Sequence, residues 1–142
     1  MPFVRLHLPQ GFTEAQIRAI ADGVHEALVA ACNVPPGDRF QVVHEHPPGR
    51  IIADRDYLGV ERGDRVLVVQ ITLHRGRPDA RKQALYRRIA ENLERAAGVR
   101  PADVVVVLTE NGSGDWSFGD GEAQVLRPGT VPHWLAGGGA AE

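Results

Sequence analysis

Apolar and polar residues alternate over short stretches in both halves of the chain, which is the pattern of half-buried β-strands. Near the start, Val4, Leu6 and Leu8 fall on one face of such a stretch. The stretch at 65–73 is apolar nearly throughout, which is typical of a central strand covered on both faces. The pattern predicts four strands, at residues 3–8, 39–46, 65–73 and 103–110.

Within each pair of strands, apolar residues recur every three or four positions, which predicts one amphipathic helix per pair. The first helix begins after Thr13, which forms a capping box with Gln16, and it ends at Asn33. The second begins near Pro78 and ends at Gly98. Each half of the chain therefore reads as strand, helix, strand.

The two halves match without a gap when the sequence is shifted by 65 residues, the spacing from Gly11 to Gly76. Such internal similarity indicates a duplicated β-α-β unit. Right-handed crossovers then predict an α+β fold, a four-stranded sheet with both helices on one face. We expect one domain at 1–126, with repeats at about 2–46 and 66–110, followed by a tail at 127–142. Identical residues at matching positions include Glu26/Glu91, Leu28/Leu93, Val34/Val99, Pro36/Pro101 and Asp38/Asp103.

Composition narrows the classes of function. The chain has 142 residues, a formal net charge of −2 and 43% hydrophobic residues. This is an average globular composition, and it argues against nucleic acid or a membrane as the main partner. The single cysteine, Cys32, allows no internal disulfide and is predicted to be a small core residue. Because the start lacks the layout of a signal peptide, we expect the protein in the cytoplasm.

Pro2, directly behind the initiator methionine, has two interpretations. It lacks a backbone N–H, and the first position of a strand is one of the few strand positions open to proline. Alternatively, Met1 is removed because a small residue follows, and Pro2 then carries a free secondary amine that can act as a nucleophile or base. The second interpretation predicts an enzyme.

The two repeats differ where chemistry is expected. Pro2 matches Leu67, so the chain offers one proline amine. Arg75 and Arg77 replace Gln10 and Phe12, so only the second repeat carries the pair of arginines. If the leading strands of the two repeats lie antiparallel, these arginines approach Pro2, and an anionic group such as a substrate carboxylate would bind among them. Replacing Arg77 with alanine is then expected to weaken substrate binding with little effect on folding.

Several stretches of the sequence resemble the tautomerase superfamily, and within it the malonate semialdehyde decarboxylase-related group. They are the "MP" start, "VPPGDRFQVV", "HPPGR", the Arg-x-Arg of "HRGRP" and "DWSFGDGEAQ". The resemblance implies a homotrimer of duplicated β-α-β chains with an amino-terminal proline at the catalytic centre. It also implies site residues: Pro2 and Asp38 in catalysis, Arg75 and Arg77 on the substrate carboxylate, and Trp116 and Phe118 as an apolar wall.

The expected activity is decarboxylation of malonate semialdehyde or a similar β-oxo acid, without cofactor or metal. A neutral Pro2 amine could form an iminium ion or remove a proton from carbon, whereas a protonated one could donate a proton. Keto–enol tautomerisation, hydration of an unsaturated acid and a non-catalytic trimeric binding protein stay open. Two further alternatives concern individual residues. Asp38 could have a purely structural role as the cap of a turn. His44 and His46 have the spacing of two metal ligands, although we expect them to be surface histidines.

Overall fold

The computed structural model describes residues 1–131 and confirms the predicted order of elements. Each predicted strand and helix is present, with ends that differ by one or two residues, as is usual where strands and helices fray. The elements are β1 (Pro2–Pro9), α1 (Glu14–Cys32), β2 (Gln41–His46), β3 (Leu67–His74), α2 (Asp79–Ala97) and β4 (Val104–Asn111).

The four strands form one sheet in the order β2-β1-β3-β4. β1 pairs parallel with β2, and β3 pairs parallel with β4. The two repeats join where β1 and β3 run antiparallel, with Pro2 opposite Leu73 and Val4 opposite Ile71. This register confirms the predicted sheet. It also brings the beginnings of β1 and β2 and the ends of β3 and β4 to one edge, called here the Pro2 end of the sheet.

The core lies between the sheet and the two helices. Alternate residues of β1 and β3 face the helices and are buried, as strand periodicity requires. The predicted capping box at Thr13 and Gln16 begins α1, and Gly98 in a left-handed conformation ends α2. The other face of the sheet is open in this single chain, since Val42 is 40% and Val107 46% exposed. β3 is therefore covered fully on one face only.

After β4, two short 3-10 turns lead the chain across the Pro2 end of the sheet. Phe118 in this segment reaches Phe40, the residue before β2, with 5.2 Å between ring centroids. The segment at 112–126 thus bridges from one edge strand to the other. The predicted tail at 127–142 falls largely outside the described residues, and the boundary at 126 stays a prediction. No helix in the described part of the chain is both long and apolar enough to span a membrane.

Candidate active site

The terminal amine and Asp38 form an ion pair at the Pro2 end of the sheet. With Met1 in place, its nitrogen lies 2.9 Å from Oδ2 of Asp38, and the residue is only 5% exposed. Burial lowers the pKa of this amine below its usual range, and the nearby Arg77 guanidinium lowers it further. The hydrogen bond and the charge of Asp38 act in the opposite direction. The site therefore combines a carboxylate with an amine that loses its proton more readily than an exposed chain terminus does.

The turn that carries Asp38 is held against α1. The Asp38 N–H donates to the carbonyl of Pro35 at 2.9 Å, and Nε2 of His25 on α1 donates to the carbonyl of Pro36 at 2.8 Å. One residue further on, Arg39 pairs with Asp22 of α1 at 2.7 Å. These contacts fix the carboxylate relative to the first repeat. The backbone of Asp38 closes the turn, and its carboxylate pairs with the terminal amine.

Arg77 is buried, with 7% of its surface exposed. Gly76 before it has a φ of +122°, a value open to glycine, and this turn directs Arg77 back toward α1. Its Nε donates to the carbonyl of Cys32 at 3.0 Å and its Nη1 to the carbonyl of His74 at 3.2 Å. Arg77 thereby joins the end of α1 to the end of β3. Contrary to the expectation from the sequence, these contacts predict that Arg77 contributes to folding.

Arg75 leaves the same strand end but lies in different surroundings. It is exposed, and its backbone N–H donates to the carbonyl of Asn111 on β4 at 2.9 Å. Its guanidinium lies against Gly112, where an added Cβ would be 3.3 Å from Nη1. The two arginines thus reach the Pro2 end from two sides. Arg77 lies between the end of α1 and the end of β3, and Arg75 lies on the side of β4.

Trp116 and Phe118 form a stacked aromatic pair at this end. Their ring centroids are 5.5 Å apart and the ring planes differ by 7°. The indole N–H of Trp116 donates to Oδ1 of Asn111 at 2.8 Å, which anchors the pair to β4. Phe40 extends the pair toward β2, as its contact with Phe118 shows. Sequence reasoning missed Phe40, although it lies in the "GDRFQ" motif that supplied Asp38.

Cys32 is a second residue that sequence reasoning placed only in the core. It is buried, as predicted, but its thiol also lies within electrostatic reach of the terminal amine and of Arg77. Burial raises the pKa of this thiol, so it stays neutral beside the ion pair. A signal was available, because Cys32 matches Ala97 and the repeats therefore differ there.

His44 and His46 lie away from this site, on the open face of the sheet. They cluster with His7, whose Nδ1 is 3.0 Å from Nε2 of His46. His7 and His44 stack with ring centroids 5.0 Å apart. No group of three or more His, Cys, Asp or Glu residues within 1–131 has the arrangement of a metal site.

The Pro2 end therefore gathers an amine of lowered pKa, a carboxylate, a buried guanidinium and an aromatic wall. Comparison with known proteins identifies the class that these features define. Two family models, each described as "Tautomerase enzyme", match residues 38–119 and residues 2–60. The chain belongs to this family and is a tautomerase-superfamily enzyme.

Its similarities place it in the malonate semialdehyde decarboxylase-related group. Over 87% of this chain and 95% of the other, it is 38% identical to a malonate semialdehyde decarboxylase whose reported structures concern decarboxylase and hydratase activities (TM-score 0.81). FG41 malonate semialdehyde decarboxylase, inhibited by 3-bromopropiolate, is 40% identical over 87% of this chain and 94% of the other (TM-score 0.83). The probable tautomerase YrdN of Bacillus subtilis (strain 168) is 40% identical, with 89% of this chain and 97% of that protein covered.

Proposed function

We propose that this chain is an amino-terminal-proline enzyme that decarboxylates a short β-oxo acid such as malonate semialdehyde. The observation that carries the proposal is the pairing of the terminal amine with Asp38 at 2.9 Å, within reach of the buried Arg77 charge. An amine of lowered pKa is a usable nucleophile near neutral pH. A cationic group beside it suits a substrate that carries a carboxylate.

Removal of Met1 is the step that would create the working site. The Met1 side chain is buried and its nitrogen occupies the place next to Asp38. Excision would release the Pro2 nitrogen as a secondary amine, about one residue length, ~3.8 Å, further along the chain. It would also vacate the buried volume that the Met1 side chain fills. The same cleavage thus supplies both the nucleophile and room for a small substrate.

The chemistry follows from a neutral Pro2 amine with Asp38 as the acceptor of its proton. The nitrogen attacks the aldehyde carbon of the substrate, water leaves, and an iminium ion forms. The bond to the carboxylate carbon then breaks, and its electron pair forms the C=C bond of an enamine while the C=N pair returns to nitrogen. Carbon dioxide leaves. Protonation of the enamine carbon and hydrolysis release acetaldehyde and the free amine.

The remaining residues hold the substrate. Arg75, exposed and close to Gly112, would bind the carboxylate from the side of β4. Arg77, fixed by two carbonyls, would contribute its charge from the side of α1. Trp116 and Phe118 would exclude water from the leaving carboxylate, which favours release of neutral carbon dioxide.

The assembly that we propose is a homotrimer. The open face of the sheet carries half-buried and exposed valines, among them Val42 and Val107, at positions where a single chain offers no cover. Exposed apolar residues on a sheet face without cover favour an interface between subunits. Three copies packed through this face would bury it and leave the helices outside.

The test is reductive trapping of the iminium ion. Protein with Met1 removed, confirmed by intact mass, is incubated with malonate semialdehyde and borohydride, and the modified peptide is identified by mass spectrometry. The adduct is expected on Pro2. Lys82, the only lysine of the sequence, is the internal control, because Glu110 raises its pKa and keeps it protonated.

Two controls make the test decisive. A chain extended before Met1 keeps the Pro2 nitrogen in a peptide bond and is expected to lose both adduct and activity. Turnover without an adduct would replace the iminium route by a route in which a protonated amine donates to the carbonyl oxygen. Full activity of the extended chain would contradict the role of Pro2. The same protein assayed with an enol of a 2-oxo acid and with an unsaturated acid measures the tautomerase and hydratase alternatives.

A further inference from the structure

A second pocket lies at the far end of the sheet, opposite the Pro2 end. It has a volume of about 310 Å³ and is formed where the second repeat begins and α2 ends. None of the residues assigned above to the active site contributes to it. It is called here the second-repeat pocket, and it is lined in part by Phe12, Gly63, Arg65, Gly98, Arg100 and Asp103.

The duplication makes this pocket the counterpart of the active site. Gly11 and Gly76 match in sequence and have nearly the same backbone, with φ of +117° and +122°. The residues that follow them, Phe12 and Arg77, are buried to the same degree, at 8% and 7% exposed. Phe12 therefore occupies in the second-repeat pocket the place that Arg77 occupies in the active site.

Asp103 corresponds in the same way to Asp38. Oδ1 of Asp103 accepts a hydrogen bond from the backbone N–H of Gly63 at 2.6 Å, just as Asp38 binds the terminal amine. In the second repeat the chain continues through this point, and Leu67 stands where the first repeat has Pro2. The second-repeat pocket thus keeps the carboxylate and its N–H partner but offers no free amine. It therefore cannot form an iminium ion.

Arg65 provides a positive charge beside Phe12, at the position where the active site has Arg77. Its guanidinium carbon lies 4.1 Å from the centroid of the Phe12 ring, so the positive charge sits over the position that matches Arg77. The acidic residues of this pocket have other partners: Asp64 pairs with Arg55, and Asp103 accepts from Gly63 with Arg100 at 3.7 Å. Within residues 1–131, Arg65 forms no ion pair, which leaves its charge available to a ligand.

We propose that the second-repeat pocket binds a short carboxylate through Arg65 without converting it. The charge of Arg65 would pair with the carboxylate, and the Phe12 ring would contact the short carbon chain. The carboxylate class follows from Arg65, which lines the pocket and forms no ion pair within residues 1–131, whereas Asp64 and Asp103 have cationic partners. Only the choice of a short oxo acid as the natural ligand rests on the proposed function, because matching halves of a duplicated site would accept similar molecules.

The experiment is a titration of the ¹⁵N-labelled protein with Met1 removed, confirmed by intact mass, with butyrate at constant ionic strength, followed by amide chemical shifts. Butyrate is unreactive at an amine, so it reports binding alone. Gly63 and Gly98 report on the second-repeat pocket, and Gly76 reports on the active site. Saturable shifts are expected at both places. Butyramide, the uncharged counterpart, is expected to give no saturable shift at Gly63 or Gly98.

Two variants locate the binding. Arg65→Gln is expected to weaken butyrate binding at Gly63 and Gly98 by about tenfold or more, since it removes the charge-assisted contact, and to leave the response of Gly76 unchanged. Arg75→Gln is expected to do the reverse. Arg18→Gln, on the exposed surface of α1, makes the same change of charge and is the matched control. Equal weakening by Arg18→Gln would reduce the effect to general electrostatics.

The inference is overturned if Gly63 and Gly98 do not respond, if butyramide shifts them equally, or if Arg65→Gln leaves their affinity unchanged. Phe12→Leu keeps an apolar side chain and is a second check, expected to weaken binding because the ring that positions Arg65 is lost. Loss of the Gly76 response with an intact Gly63 response would count against the active-site proposal alone. The two proposals therefore fail separately.

Discussion

Arg77→Ala is expected to destabilise the fold, whereas Arg75→Ala is not. Arg77 is 7% exposed, and its guanidinium donates to the carbonyls of Cys32 and His74 at 3.0 and 3.2 Å. Each such bond from a charged donor contributes about 1.5 kcal/mol or more, and the substitution also leaves two acceptors without their donor and a cavity between α1 and β3. We expect a loss of about 2–4 kcal/mol in the free energy of unfolding.

Arg75 provides a control that differs only in its surroundings. It leaves the same strand end and carries the same charge, but it is exposed. Truncation of an exposed side chain usually changes stability by no more than about 0.5 kcal/mol. Urea unfolding of the wild type, Arg77→Ala and Arg75→Ala, followed by circular dichroism, measures both values under identical conditions.

Arg77→Met separates the two contributions to the loss. Methionine fills much of the volume of the arginine stem but donates no hydrogen bond, so it is expected to recover the cavity part of the loss only. Kinetics complete the comparison: Arg75→Ala is expected to raise KM for a β-oxo acid without loss of stability. If Arg77→Ala unfolds within about 0.5 kcal/mol of the wild type, the buried tie between α1 and β3 does not stabilise the fold and this reasoning is wrong.

Four further outcomes are expected. Asp38→Asn should lower the pKa of the terminal amine further, because the ion pair raises it; the pH dependence of acylation of that amine measures this. His7 has a lowered pKa, chiefly through burial. Below about pH 6.5 the unfolded chain therefore binds more protons than the folded chain, so the free energy of unfolding should decrease as the pH falls. The decrease should be shallower in His7→Gln. Pro2→Ala keeps a primary amine and should retain at most part of the activity in a steady-state assay. Light scattering should show a trimer, and a stable monomer would contradict the proposed packing of the open sheet face.

The sequence alone determined the architecture, because the relevant signals are local and repeated. Alternation in β1, the capping box at Thr13 and the glycine after α2 each depend on neighbouring residues, and the duplication presents the strand and helix signals twice. The antiparallel contact of β1 with β3 followed from the same duplication. Candidate chemistry at Pro2 could be predicted from a difference between the repeats, whereas a role for Asp38 was implied only by the resemblance to the tautomerase superfamily.

Tertiary structure decided the surroundings of each candidate. Arg75 and Arg77 are separated by one glycine, yet one is exposed and the other is buried, because the turn at Gly76 directs Arg77 under the end of α1. Phe40 joined the aromatic wall only because the segment after β4 crosses the sheet to reach it. Burial and electrostatic fields sum over residues distant in sequence, so the lowered pKa of the amine at Asp38 exists only in the folded chain.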